Sequence, residues 1–135
     1  MDANEVITRY ASGERDFRGA DLQGLNLTNE NLRDINLRQA NLKQANLTGA
    51  DLKGANLREA LLGKCVLQDA QMELVNLIGA DLSHANLNNV NLNEAGIRGA
   101  NLTGSRLEKA KMQNANLNEA TLDHAQLREA DLSHS

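Results

Sequence analysis

From Phe17 to Leu132 every fifth residue is a bulky apolar side chain, without exception. The 24 positions carry Leu at 20 places and Phe17, Met72, Ile97 and Met112 at the others, so one short period accounts for almost the whole chain. A sequence built on a fixed short repeat predicts a solenoid, in which each unit buries its apolar side only against its neighbours. The period excludes both ordinary elements. On an α-helix a step of five turns through about 140° and scatters the leucines around the circumference. In a flat strand an odd step sends successive leucines to opposite faces. A second register settles the geometry: two residues before each bulky position stands a small one, Ala at 16 of the 23 places between 20 and 130. The exceptions are Leu25, Glu30, Ile35, Cys65, Val75, Val90 and Ser105. A spacing of two puts the small and the bulky side chain on one side of a short extended segment. The remaining positions, rich in Asp and Asn before the leucine and in Gly, Asn, Gln, Lys, Arg and Glu after it, suit corners and solvent. The pattern therefore predicts a coil with an apolar inside and a polar outside, its turns stacked at strand spacing, about 4.8 Å.

The units Ala40-Asn41-Leu42-Lys43-Gln44 and Ala50-Asp51-Leu52-Lys53-Gly54 show the tandem motif A-(D/N)-L-x-x, which resembles the pentapeptide repeat family over residues 16–135. The resemblance implies an all-β solenoid, a right-handed quadrilateral β-helix with twenty residues per coil. Six coils would give a rod roughly 29 Å long. Ahead of the repeats, residues 1–13 are expected to form a short capping α-helix and residues 14–135 the β-helix, within a single domain. Asp2 followed by Glu5 resembles a capping box, Gly13 suits a helix C-terminus, and Val6, Ile7, Tyr10 and Ala11 share one helical face. Such a helix would cover the edge of the first coil. The lead-in from Tyr10 to Phe17 also resembles cyanobacterial members of the family. The far end has no such lid. Leu122, Leu127 and Leu132 are expected to form an open self-association edge, a site for end-to-end dimerisation such as some family members use. The alternative is a frayed end blunted by Ser133, His134 and Ser135.

Composition narrows the function classes. The formal charge of −4 is spread along the chain rather than polarised, which announces neither a nucleic-acid-binding surface nor a strongly acidic one. Cys65 has no partner for a disulfide, and no apolar run approaches membrane length, so a soluble, cytoplasmic protein is expected. Stacking by twenty sorts the outward residues into columns. The most distinctive is Arg18, Arg38, Arg58, Ile78, Arg98, Asn118, whose four arginines form a candidate partner-binding face. No interleaved aromatics support direct nucleic-acid binding there. The coil at 61–80 departs furthest from the motif, with Leu61, Val66, Leu74 and Ile78 at outward positions, but they fall on four faces and form a girdle rather than a patch. Glu30 stands at an inward position and is expected to turn outward near the capped end.

No enzyme is expected, and no cofactor or metal. His84 and His124 share a column two coils apart, roughly 9–10 Å, too far to ligate one Zn²⁺ at about 2 Å per bond. There is no phosphate loop or nucleophile motif, and an interior filled by Ala and Leu leaves no substrate cavity. The sequence thus points to a non-catalytic scaffold that binds a protein partner, with Cys65 a buried, inert thiol. Two alternatives stand beside it. One is a self-assembling structural rod. The other, implied by the resemblance, is a DNA mimic that binds a type II topoisomerase, gyrase. Duplex DNA carries one charge per about 1.7 Å, so a mimic of this length needs on the order of 17 negative charges. The gyrase-protecting proteins also resemble one another in carrying loops between repeats, whereas no insertion breaks the register here.

Overall fold

A computed structural model describes the whole chain, Met1–Ser135. Every backbone bridge of the rod joins residues twenty apart in parallel, from Asp16 with Asn36 to Lys111 with Asp131. Each coil therefore holds four pentapeptides, one per side, and the repeats form the expected right-handed quadrilateral β-helix of six coils. The sides are numbered by the first bulky residue on each: face 1 from Phe17, face 2 from Leu22, face 3 from Leu27 and face 4 from Leu32. Between coils the ladder is made by both neighbours of the corner, as in Leu37 N to Asn56 O at 2.8 Å and Asn56 N to Ile35 O at 2.9 Å.

The corners explain the polar half of the pattern. Each bulky residue opens a turn whose third residue lies in the left-handed region, with φ between 57° and 71° at all twenty-four corners. The fourth residue closes it, as Ala40 N does on Leu37 O at 3.0 Å. Positive φ in the third place is the mark of a type II turn, where glycine is free and other residues are strained by roughly 1 kcal/mol. Only seven of these places hold glycine, so seventeen side chains tolerate the strain because the ladders on both sides fix the corner. Leu74 is the least suited of them, being apolar and 54% exposed. Leu74→Gly is expected to raise stability by about 0.5–1 kcal/mol, read as a higher melting temperature in circular dichroism.

The Asp or Asn before each leucine has a specific task that its reputation as a corner residue understates. At all sixteen places where one stands, its Oδ1 accepts the backbone N–H two residues on, from Asp16 with Arg18 N at 3.2 Å to Asp131 with Ser133 N at 3.0 Å. These Asx turns pin the strand-to-corner transition. Where Arg106 and Lys111 replace the Asx residue, Asn88 and Asn93 of the preceding coil supply the acceptor instead, to Glu108 N at 3.0 Å and Gln113 N at 2.9 Å.

The inward side chains make one continuous core of 37 buried residues, running from Val6 to Ala115 without a gap between coils. Ser105 is the one buried polar residue, and its hydroxyl has no hydrogen-bond partner. Ahead of the rod, helix α1 spans Ala3–Ala11. Asp2 caps it by accepting Glu5 N at 2.8 Å. Its end is a Schellman motif: Gly13 N donates to Tyr10 O and Glu14 N to Arg9 O, both at 3.0 Å, with Gly13 at positive φ. Val6 is fully buried, with Ala3, Ile7 and Tyr10 packed around it, while Ala11 lies exposed, so Ala3 rather than Ala11 completes the docking face. The Tyr10 hydroxyl donates to Arg33 O at 2.8 Å, occupying a carbonyl of the first coil's free edge.

Candidate functional site

The candidate sites are the outward columns and the last coil. On face 1, Arg18, Arg38, Arg58 and Arg98 all lie exposed in one column, each at the second corner residue, with Ile78 between Arg58 and Arg98. The column is less cationic than its sequence. Arg18 Nε pairs with Asp16 Oδ1 at 2.8 Å and Arg98 reaches Glu119 at 3.6 Å. Glu59 is shared, lying 3.2 Å from Arg58 and 4.0 Å from Arg38, while Gln39 Nε2 also donates to it at 3.0 Å. Hydrogen bonds from Gln39 and then Arg58 hold the Glu59 carboxyl below its usual range, and the Arg18 bond does the same for Asp16. Such a contribution is present above the ordinary carboxylate range and fades as pH falls through the depressed value. Two guanidiniums sharing one carboxylate leave the excess positive charge at Arg38 and Arg58. An open groove of about 550 Å³ lies on the Arg38 side, lined by Asp16, Arg18, Gly19, Arg38 and Gln39.

Face 2 carries a notch that the sequence reading passed over. Gly63 is the one glycine at the second corner position, and its φ is not positive, so the backbone does not require it. The missing side chain opens a space of about 310 Å³ whose lining includes Lys43, Lys64, Asp81, Ser83 and His84. The change of residue type within its column was the available signal. The His84 imidazole lies against Gly104 one coil on, where any Cβ would collide with it. No group of three His, Cys, Asp or Glu side chains is placed to hold a metal ion. The girdle is present as four separate points: Leu61 and Leu74 are exposed, Val66 and Ile78 half-buried.

Glu30 does not simply turn to solvent. It is half-buried and lines a cleft of about 280 Å³ beneath α1, with Ile7, Tyr10, Ala11, Asn31 and Leu32.

At the other end Leu122, Leu127 and Leu132 are only half-buried, since no coil covers them. The N–H groups of Leu117, Glu119, Leu122, His124, Leu127, Glu129, Leu132 and His134 make no hydrogen bond and form the open edge. Ser135 Oγ turns back to donate to Met112 O at 2.5 Å.

Cys65 fills a small inward slot at 1% exposure, and burial pushes its thiol up to about 12. A thiol-specific reagent at neutral pH should leave the folded chain unmodified and react fully in denaturant. Because the folded pKa is raised, stability is undiminished below about pH 9 and falls by about 1.4 kcal/mol per pH unit between there and 12. Rapid labelling of the native protein would contradict the placement.

The description "Pentapeptide repeats" fits the chain in a family-model comparison, with eight copies over residues 16–54, 55–94 and 97–133. The solved structure of Rfr23, a pentapeptide repeat protein from the cyanobacterium Cyanothece, is 31% identical, with a TM-score of 0.73 and 96% of each chain covered. HetL, a pentapeptide repeat protein from the cyanobacterium Nostoc described as involved in heterocyst differentiation regulation, is 22% identical. Its TM-score is 0.57, with 99% of this chain and 94% of HetL covered. No protein with a curated description matches in sequence. No helix is long and apolar enough to cross a membrane.

Proposed function

This chain belongs to the pentapeptide repeat family, and from that premise we propose that it is a non-catalytic scaffold that binds an acidic protein partner through face 1. In this reading residues 1–13 act as a lid on the rod of residues 14–135. The observation that carries the proposal is the shared carboxylate: Arg38 and Arg58 have one glutamate, Glu59, between them, and Arg38 lines an open groove. A rigid backbone holds the two arginines one coil apart in one column, so a partner carboxylate meets them without ordering a loop. Arginine is suited to this because its planar fork binds a carboxylate through two parallel hydrogen bonds. The solid interior supports the non-catalytic half of the proposal, since the inward residues pack on one another from end to end.

The double variant Arg38→Glu/Arg58→Glu is the test. Both side chains are exposed and outward, so the melting temperature should stay within about 2 °C while partner affinity falls at least about 100-fold. Undiminished binding by the variant would move the site off this face. The last coil supports a second part of the proposal, pairing of two copies through Leu122, Leu127 and Leu132. Its half-buried leucines and open N–H groups are the unsatisfied surface that such a contact would cover.

A further inference from the structure

Neither the faces nor the open end accounts for the cleft beneath α1. Its lining is Ile7, Tyr10, Ala11 and Leu32 with the amide of Asn31, and the charge it holds is the carboxylate of Glu30. That side chain occupies an inward slot which Ala fills at most equivalent places. The neighbouring cations are all committed elsewhere. Arg9 pairs with Glu14, and Arg33 pairs with Asp51 at 2.7 Å. Arg15 donates to Tyr10 O at 2.8 Å and Glu14 O at 2.9 Å while stacking on the Tyr10 ring, 3.6 Å from its centroid. The Glu30 carboxylate is left without a hydrogen bond or an ion pair, half-withdrawn from water, at the rim of an apolar cleft. A carboxylate in that setting gains from a cation that brings its own apolar stem.

We propose that this cleft binds a primary alkylammonium group, the chemistry of a lysine side chain, with the charge on Glu30 and the methylenes against Ile7, Tyr10 and Leu32. A compact ammonium on a four-carbon stem needs one carboxylate and a narrow apolar wall. A divalent cation needs several oxygen ligands, and Glu30 is the one carboxylate lining the cleft. The inference is independent of the arginine face, which selects the opposite charge, so either can fail alone.

Tyr10 makes the test direct. It is the single tyrosine of a chain without tryptophan and it lines the cleft, so the chain's tyrosine fluorescence reports on the surroundings of the cleft. n-Butylammonium and Nα-acetyl-lysine N-methylamide are titrated against the full chain, with n-butanol as the neutral counterpart, following Tyr10 emission and the amide resonances of residues 7, 10 and 30–32. Saturable changes in the millimolar range are expected with the cations and none with the alcohol. Equal or tighter binding of the blocked lysine would identify a partner's side chain as the source, and binding of n-butylammonium alone a free amine; both support the site. Glu30→Ala, which restores the residue usual at that slot, should keep the melting temperature and lose saturation, and Glu30→Gln should weaken binding at least about tenfold. No saturable change in the native chain, equal binding by Glu30→Ala, or equal binding of n-butanol would overturn the proposal.

Discussion

Leu87→Asp is expected to abolish the cooperative unfolding transition of the rod at room temperature. Leu87 is completely buried, with Leu67 and Leu107 one coil away on either side in the same column. Truncating a packed leucine costs about 2–5 kcal/mol. The carboxylate that replaces it has at most the lone Ser105 hydroxyl as an inward polar neighbour, the other inward slots being apolar, and burying it ionised costs several kcal/mol more. The sum is comparable to the whole stability of a domain of this size, about 5–15 kcal/mol. A solenoid has no remote contacts to compensate, because each coil touches only its neighbours. Circular dichroism and a thermal melt decide the matter, and a variant melting within about 2 °C of the native chain would refute a continuous core.

Given the pairing proposed for the last coil, deleting residues 1–13 is expected to turn an assembly that closes at two copies into one that polymerises. The repeats fill six complete coils, so a residue after Ser135 would fall in the register of Asp16. The eight free N–H groups of the last coil are matched, position by position, by the carbonyls of Asp16, Arg18, Asp21, Gln23, Asn26, Thr28, Asn31 and Arg33 on the first coil, none of which receives a backbone N–H. Leu117 N would donate to Asp16 O of the next copy just as Ile97 N donates to Asn116 O within the chain, at 2.9 Å. Helix α1 prevents this contact by lying on the first coil, where Tyr10 also takes the Arg33 carbonyl. With α1 in place the proposed pairing brings the last coils of two copies together, which closes at a dimer. Without it the contact is head-to-tail and does not close. Light scattering across a concentration series should show the intact chain levelling at two copies and the shortened, still β-rich chain growing without limit. A shortened chain that remains folded and no larger than a dimer would contradict the role given to α1.

How much of this was readable in advance follows from what repeats. The five-residue step, the small slot beside each leucine and the amphipathic start of the chain dictate the coil, its solid interior and the N-terminal helix, because each is enforced many times over or by short-range rules. The inert placement of Cys65 is legible for the same reason. What escaped the sequence depends on contacts between coils or between lid and rod. The arginine column reads as four charges, yet the lateral reach of Glu59 to both Arg38 and Arg58 neutralises part of it. The Asx bonds were visible as composition but not as a backbone function. Ala11 shares the apolar stripe of α1 but sits too near the helix end to be covered. Glu30 violates the inward pattern for a reason that appears only when α1 is laid beside it.

The function proposed for this rod turns on partner binding by face 1. The decisive measurement is affinity capture from source-cell lysate with the native rod and the Arg38→Glu/Arg58→Glu rod as parallel baits, eluted in salt steps and identified by mass spectrometry. One dominant acidic protein, retained by the native rod, released at moderate salt and missing from the variant, is the predicted result. The same proteins on both baits, or a native bait that retains nothing, would contradict it.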